Sequence, residues 1–237
     1  MSIPKIIHYC WFGGNSLNKK AIACIESWKK FCPNFEIVCW DEKNSPLEDN
    51  AYVEQAYALG KWAFVSDYVR LKALWEQGGI YLDTDVELTK GMEDLLGQQA
   101  FCGFESDEKI ATCLIASRPK HALIGELLEE YGKASFVKKD GSPDLTTNVE
   151  RITKFLKGKG LVCDGAMQNV ADLTIYPVDW FSPKSLTTGK LVRTKNTRAI
   201  HHFQSSWMTM SQRRNTKIAQ ILGPKWTAVL KQKLGRC

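Results

Sequence analysis

The sequence predicts an α/β fold built on a mostly parallel, Rossmann-like sheet with flanking helices. Two observations support this prediction. Short apolar runs alternate with longer amphipathic segments, and the first two runs, within 3–12 and 32–41, are one helix apart, which is the spacing of a β-α-β unit. A third run, IYLDTD at 80–85, ends on two aspartates, and ligands of open α/β sheets bind at the carboxyl ends of the strands.

The N-terminal half of the chain is predicted to hold three strands and two helices. The strands are expected within 3–12, 32–41 and 80–85. The helices are expected over 16–31 and 61–77, because apolar side chains recur there at helical spacing. Gly78 and Gly79 follow the second helix and are typical of a helix C-terminus.

The alternation continues through the second half. Strands are predicted at 100–105, 110–116, 161–163, 174–177 and 199–203, and helices at 120–132 and 146–157. No internal repeat or low-complexity linker interrupts the pattern, so residues 1–210 are expected to form a single domain. Residues 211–237 are predicted to form a basic, amphipathic helical tail, which a Gly-Pro break at 223–224 divides into two short helices.

Composition places the chain among ordinary globular proteins. Its 237 residues are 44% hydrophobic, which is enough to bury a core, and no apolar run approaches the roughly 18 residues that cross a bilayer. The N-terminus lacks the basic and long apolar segments of a secretory signal. Eight cysteines form no C-x-x-C pair and are expected to be reduced thiols. These features predict a cytoplasmic protein.

The charge is distributed unevenly along the chain. From Trp180 to Cys237 there are twelve Lys or Arg and no Asp or Glu, so residues 1–179 carry −6 of the net +6. Such a split indicates an anionic partner such as a membrane, a nucleotide phosphate or nucleic acid, unless the tail is merely solvated. Within 211–237 apolar residues fall at helical spacing, which is typical of an interfacial helix. We expect the tail to dock on the inner face of an anionic membrane; the competing interpretation packs it on the domain.

The D-x-D pair, Asp83 and Asp85, is the clearest chemical signal. Two carboxylates directed at one point repel each other unless a cation lies between them, and carboxylate oxygens are the ligands of Mg²⁺ and Mn²⁺. Upstream, Asp67 and Arg70 are three residues apart and share a helix face. The alternative for both pairs is structural: a surface turn and a surface ion pair of little energetic value.

Four motifs together resemble family 32 glycosyltransferases: WFGG at 11–14, S-D-x-x-R at 66–70, G-G-I-Y-L-D-T-D at 78–85 and H-H-x-x-S-S-W at 201–207. That family includes bacterial capsular-polysaccharide enzymes and yeast initiating mannosyltransferases, with large clostridial toxin glucosyltransferase domains as relatives. The resemblance implies a GT-A-type fold. Residues 86–198 match only loosely, and residues beyond 208 carry no motif of the family.

The resemblance also implies roles for the motif residues. Trp11 would stack on the nucleotide base. Ser66, Asp67 and Arg70 would contact the donor, the latter two through hydroxyls of the sugar. Tyr81 would contact the diphosphate or ribose, Asp83 would bind ribose, sugar and a water-bridged metal, and Asp85 would ligate the metal directly. Asp67, Arg70, Asp83 and Asp85 form the implied catalytic set.

The C-terminal motif completes the implied site. His202 stands where the relatives carry a further metal ligand, and several toxin relatives have a glutamate there. Imidazole also suits Mn²⁺. The implied metal set is therefore Asp83, Asp85 and His202. Ser205 and Trp207 would hydrogen-bond the diphosphate as part of a closing loop.

The resemblance implies a Mn²⁺- or Mg²⁺-dependent, retaining transfer of a hexose from a nucleotide-sugar, with UDP-galactose or UDP-glucose favoured. The expected acceptor is a lipid-linked oligosaccharide of cell-surface polysaccharide synthesis, and no nucleic-acid partner is expected. One rival is a D-x-D phosphatase, which requires Thr or Val at the fifth motif position, where Glu87 stands. The other is a non-catalytic membrane- or nucleic-acid-binding module built on the tail, which leaves the motif at 66–85 unexplained.

Overall fold

The computed structural model describes residues 2–204. The strands are β1 (Ile6–Cys10), β2 (Glu36–Trp40), β3 (Gly79–Leu82), β4 (Val86–Leu88), β5 (Ala100–Ser106), β6 (Lys109–Ser117), β7 (Gln168–Val170), β8 (Leu173–Tyr176) and β9 (Ala199–His201). The helices are α1 (Lys19–Phe31), α2 (Ala51–Ala58), α3 (Trp62–Gln77), α4 (Ala122–Gly132), α5 (Asn148–Lys157) and α6 (Val178–Phe181).

Seven strands form one mixed sheet in the order β2-β1-β3-β6-β5-β8-β7, and β4 pairs with β9 in a separate ribbon. Strands β1, β2 and β3 are mutually parallel, and β5 and β8 share their direction, whereas β6 and β7 run the opposite way. The predicted, mostly parallel α/β sheet is confirmed. The reversed β6 arises because β5 and β6 form a hairpin instead of a crossover unit.

Helices cover both faces of the sheet and bury one apolar layer on each. On one face, α3, α4 and α5 contribute Leu71, Leu123 and Ile152 to the core. On the other face, Trp28 of α1 and Phe181 of α6 pack below the sheet. Each face therefore excludes water, as a predominantly parallel sheet requires.

Local signals in the sequence determine where several helices begin and end. The Asn18 side chain accepts hydrogen bonds from the amides of Lys20 and Ala21, so α1 begins at Lys19, three residues later than predicted. Helix α5 begins after Thr147, which forms a capping box with Glu150. Gly78 ends α3 with φ of +66°, and a Cβ there would lie 2.9 Å from the Ser117 carbonyl oxygen, so only glycine fits.

Several elements differ from the sequence prediction; β4 and α6, for example, were not predicted. Helix α2 lies in a stretch for which no helix was predicted, although Asn50 caps its first turn. No strand forms at 161–163; a strand forms instead at β7. The Gln168 side chain bonds the amide and the carbonyl of Val162 at 3.0 and 2.8 Å, which closes this segment as a loop.

Two further properties of residues 2–204 bear on the sequence analysis. In this part of the chain no helix has the length and apolar character needed to cross a membrane. Its seven cysteines are all free thiols.

Candidate active site

The D-x-D pair lies in a turn directly after β3. The strand ends at Leu82, and the amide of Asp83 still donates to the Cys113 carbonyl of β6 at 2.9 Å. The amide of Val86 then donates back to the Asp83 carbonyl at 2.9 Å. The strand was predicted to continue to residue 85; it ends earlier, and the turn brings the two carboxylates together.

The β4–β9 ribbon brings a histidine to these aspartates. Val86 pairs with His201 in the register of the two strands. His201 Nε2 lies 3.3 Å from Asp85 Oδ1, and the ligand atoms of Asp83, Asp85 and His201 all lie within 4.8 Å of one another. Two carboxylates and one imidazole are a ligand set that suits Mn²⁺. These side chains could therefore hold a divalent cation.

His202, the predicted ligand, lies elsewhere. Its Nε2 is 2.7 Å from Glu87 Oε2. Successive side chains of an extended segment point in opposite directions, so only one of the two histidines can face the aspartates. In this structure it is His201 that lies with Asp83 and Asp85, whereas the predicted ligand His202 lies beside Glu87.

Arg70 connects α3 to the end of β3. Its guanidinium is 4% exposed and donates to the Ser66 carbonyl at 3.1 Å, the Ser66 hydroxyl at 3.2 Å and the Thr112 carbonyl at 2.7 Å. The same group lies 2.9 Å from Asp67 Oδ1 and 3.4 Å from Asp83 Oδ1. Arg70 thereby holds both carboxylates in place.

Tyr81 is part of the same network. Its hydroxyl donates to Asp83 Oδ1 at 2.9 Å, and the Arg70 guanidinium lies over its ring, 4.5 Å from the centroid. The ring is 2% exposed. Tyr81 and Arg70 therefore both hold the Asp83 carboxylate.

Burial and charge act against each other on these groups. Burial alone would raise the pKa of Asp85, but the neighbouring His201 and the amide of Gln204 outweigh it and lower the pKa to about 2. Burial raises the pKa of Asp67 to about 6, against the opposing charge of Arg70. Burial would lower the pKa of Arg70, but Asp83, Tyr81 and Asp67 raise it, so the guanidinium stays charged.

A short segment after β9 binds Asp85 through two backbone amides. The His202 amide donates to the Asp85 carbonyl at 3.0 Å, and the Gln204 amide donates to Asp85 Oδ2 at 2.7 Å. Phe203, between them, has φ of +56°, and its ring centroid lies 4.0 Å from that of His201. Ser205 and Trp207, which were expected to contact the diphosphate, lie outside the described residues.

A cavity of about 500 Å³ opens above this network. Seven of the predicted site residues line it: Trp11, Ser66, Asp67, Arg70, Tyr81, Asp83 and Asp85. His201 lines it as well. At one end, Trp11 donates through Nε1 to the Asn15 carbonyl at 2.6 Å, which fixes its ring. The structure thus brings the predicted residues of the N-terminal motifs into one concave site.

Sequence reasoning missed several residues of the cavity wall: Asn15, Asn18, Trp62, Glu105, Lys109, Thr112, Asn148 and Glu150. Trp62 was identifiable as an aromatic residue at the start of a helix that carries two site residues. Thr112 acts through its backbone carbonyl, for which the sequence carries no signal. Glu105 and Lys109 lie on a hairpin without any motif, so only the fold reveals them.

A family model of known proteins matches the part of the chain that carries the D-x-D turn. Residues 18–102 match the model of the family described as the glycosyltransferase sugar-binding region containing the DXD motif. This range includes α3, β3 and the turn with Asp83 and Asp85. The matched family region therefore includes the wall of the cavity that α3 and the D-x-D turn form.

Two curated relatives carry glycosyltransferase names. Inositol phosphoceramide mannosyltransferase 3 of Schizosaccharomyces pombe is 25% identical over 143 residues, which is 57% of this chain and 39% of the relative. An uncharacterized glycosyltransferase of Acanthamoeba polyphaga mimivirus is 26% identical over 171 residues, 65% of this chain and 66% of the relative. The chain thus spans less than two thirds of either protein.

The fold recurs in a solved glycosyltransferase involved in the glycosylation of the major capsid of PBCV-1. The two structures superpose with a TM-score of 0.51 at 10% identity, over 91% of this chain and 100% of the other. This likeness confirms the GT-A-type α/β fold. The chain is thus similar to glycosyltransferases in two respects, the DXD-containing region at 18–102 and the overall fold.

Proposed function

We propose that this protein is a nucleotide-sugar glycosyltransferase, and more specifically a retaining hexosyltransferase that requires Mn²⁺ or Mg²⁺. The observation that supports this most strongly is the group of Asp83, Asp85 and His201, whose ligand atoms lie within 4.8 Å of one another beside a cavity of about 500 Å³. Divalent cations bound by such groups keep open positions for diphosphate oxygens. The proposed metal set replaces His202 with His201.

Some motif residues would bind the donor, and others would stabilise the charge that develops when its bond to the diphosphate breaks. When bound, the cation supplies Lewis-acid neutralisation of the charge on the departing diphosphate, which is worth several kcal/mol. Arg70 is preorganised by its bonds to Ser66 and Thr112, so it adds positive charge without reorganising. Asp67 offers a carboxylate to the hydroxyls of the donor sugar, and Trp11 offers an aromatic face to the base.

Retention is proposed from the family resemblance, and the pairing of the motif carboxylates bears on its route. Asp67 pairs with Arg70, Asp83 with Tyr81 and Arg70, and Asp85 with His201. A carboxylate engaged in this way is a poor nucleophile, because it must break its existing bonds before it attacks. We therefore propose that the acceptor attacks from the face of the departing diphosphate, with UDP as the leaving group.

The donor is proposed to be UDP-galactose or UDP-glucose, on the strength of the family resemblance, and the acceptor a lipid-linked oligosaccharide in cell-surface polysaccharide synthesis. The name of the yeast relative includes mannosyltransferase, so GDP-mannose is the competing donor. The sugar pocket is polar on the side of Asp67 and Arg70, which is compatible with any hexose. The donor therefore has to be identified by experiment.

The test is hydrolysis of a panel of UDP- and GDP-hexoses by the purified full chain, with Mn²⁺, Mg²⁺ or EDTA. We expect slow release of UDP from UDP-galactose or UDP-glucose that EDTA abolishes and Mn²⁺ restores. Mass spectrometry of the protein after incubation identifies any bound nucleotide. Release that is equal in EDTA would refute the metal assignment, and release from GDP-mannose alone would refute the proposed donor.

We also propose that residues 211–237 form a separate basic tail that attaches the catalytic domain, residues 1–210, to an anionic membrane. Seven Lys or Arg and no acid occur between residues 211 and 237, and each contributes about 1 kcal/mol near an anionic leaflet. The full chain should float with phosphatidylglycerol liposomes at low salt and dissociate at high salt, whereas a chain ending at Met210 should not float. Equal behaviour of the two chains would refute the proposal.

A further inference from the structure

The wall of the cavity opposite the donor-binding motifs has no assigned role. It is formed by the β5–β6 hairpin and the first turn of α5. Glu105, near the end of β5, and Lys109, at the start of β6, both line the cavity. Neither belongs to the motifs that carry the family resemblance.

Glu105 is unusual because its carboxylate is half-buried yet unpaired. Within residues 2–204 it forms no hydrogen bond and no ion pair, although His201, Lys109 and Asp83 are close enough to influence it. Burial raises the pKa of Glu105, against the opposing charges of His201 and Lys109. A carboxylate withdrawn from water without a partner is costly, and this cost is recovered when a ligand supplies hydrogen-bond donors. Hydroxyl groups are such donors.

A second, shallower depression continues from this wall. It has a volume of about 300 Å³ and is lined by Glu108, Lys109, Glu150, Thr153, Lys154 and Lys157. Lys109 and Glu150 line both this groove and the main cavity, so the two spaces adjoin. A groove lined by charged and hydroxyl side chains offers both donors and acceptors to a hydroxyl-rich ligand.

Glu105 lies on a different strand from the proposed donor-binding residues. In the sheet, β5 lies two strands from β3 and runs in the same direction, so their carboxyl ends lie at one edge, about 10 Å apart. Trp11 and the D-x-D turn lie at the carboxyl ends of β1 and β3. A donor bound there leaves the β5 side of the cavity for the second substrate.

We infer that the groove between the β5–β6 hairpin and α5 binds a saccharide acceptor and that Glu105 accepts a hydrogen bond from the acceptor next to its reacting hydroxyl. This inference rests on the proposed function. In the reaction, the acceptor oxygen forms a bond to the anomeric carbon, the bond from that carbon to the diphosphate oxygen breaks, and the hydroxyl proton leaves with the nucleoside diphosphate. Glu105 orients the acceptor and takes no part in bond exchange.

The experiment separates transfer to an acceptor from hydrolysis of the donor. The full chain is incubated with Mn²⁺, the UDP-hexose that it hydrolyses and a panel of methyl hexosides, and both products are measured in the same sample. The variants are Glu105→Gln, which keeps the shape of the side chain, and the control Asp107→Asn, an exposed carboxylate of the same hairpin that lines neither cavity nor groove.

We expect the ratio of transfer to hydrolysis to fall by about 10- to 100-fold in Glu105→Gln, the effect of losing one hydrogen bond to a charged group. Asp107→Asn should keep the ratio of the unmodified chain. The ratio is independent of how much of the variant is folded, because both products come from the same active molecules.

Three results would overturn the inference. An unchanged ratio in Glu105→Gln would remove Glu105 from the acceptor site. Donor hydrolysis without transfer to any hexoside would exclude a saccharide acceptor. A hexose covalently attached to Glu105, detected by peptide mass spectrometry, would make this residue a nucleophile. If the unmodified chain hydrolyses no nucleotide-sugar at all, it is the proposed function itself that fails.

Discussion

The two walls of the cavity differ in how their charged groups are satisfied. On the donor side, Arg70 is 4% exposed and its bonds engage Ser66, Thr112, Asp67 and Asp83 before any ligand arrives. On the opposite side, Glu105 has no partner among residues 2–204. The charged groups of the first wall are paired with one another, whereas the Glu105 carboxylate of the second wall has no partner among the described residues.

The two walls are therefore expected to contribute differently, one to stability and the other to the selection of substrates. The donor-side network lies between α3 and the sheet, so its ion pairs and hydrogen bonds contribute to folding as well as to chemistry. Glu105 contributes nothing of that kind and costs free energy where it lies. We therefore expect substitutions on the donor side to change stability and turnover together, and substitutions at Glu105 to change only the use of substrates.

The largest expected effect is on turnover, at Asp85. Asp85→Asn should lower Mn²⁺-stimulated UDP-hexose hydrolysis by more than about 100-fold, because the cation supplies several kcal/mol of charge neutralisation. The circular dichroism spectrum should not change. Glu87→Gln, two residues along the same segment, is the matched control, because its carboxylate faces His202. Near-normal Mn²⁺-stimulated hydrolysis by Asp85→Asn would break the metal assignment.

The next effect is on stability, at Arg70. Arg70→Ala leaves the buried Asp67 carboxylate and the Thr112 carbonyl without their partner, which should lower the free energy of unfolding by about 3–5 kcal/mol. Urea denaturation measures it, with Glu105→Ala as the comparison. Glu105→Ala should change this free energy by less than about 1 kcal/mol. Equal losses in the two variants would remove the distinction between the walls.

A smaller effect is expected at the nucleotide end of the cavity. Trp11→Ala should raise the KM for the donor by about 5- to 100-fold, since stacking on a base is worth about 1–3 kcal/mol. Because Trp11 lies on the donor side, the ratio of transfer to hydrolysis should stay constant, in contrast to Glu105→Gln. An altered ratio with an unchanged donor KM would move Trp11 to the acceptor side.

How well the sequence predicts the structure depends on how far apart in the chain the interacting residues are. Short-range signals worked: the apolar periodicity located β1, α3 and β3, and the D-x-D pair identified the edge of the sheet at which the cavity opens. The predicted strand through residue 85 was wrong, because Asp83 turns the chain toward β4. No local pattern reveals that β4 leaves the sheet to pair with β9.

Long-range pairing explains what else the sequence missed. The two histidines are adjacent, and only the β4–β9 register decides that His201 faces the aspartates and His202 faces Glu87. Glu105 lies on a strand whose sequence, AFCGFES, reads as ordinary core. It reaches the site because β5 and β3 end at the same edge of the sheet, which follows from topology alone.

The most direct test of the metal group is electron spin-echo spectroscopy of Mn²⁺ bound to the full chain with UDP. Imidazole nitrogen bound to Mn²⁺ modulates the echo, so the signal reports the histidine ligand itself. The two adjacent histidines supply matched variants, His201→Gln and His202→Gln. The account predicts that the nitrogen modulation disappears in His201→Gln and persists in His202→Gln. Modulation that persists in His201→Gln and disappears in His202→Gln would contradict it.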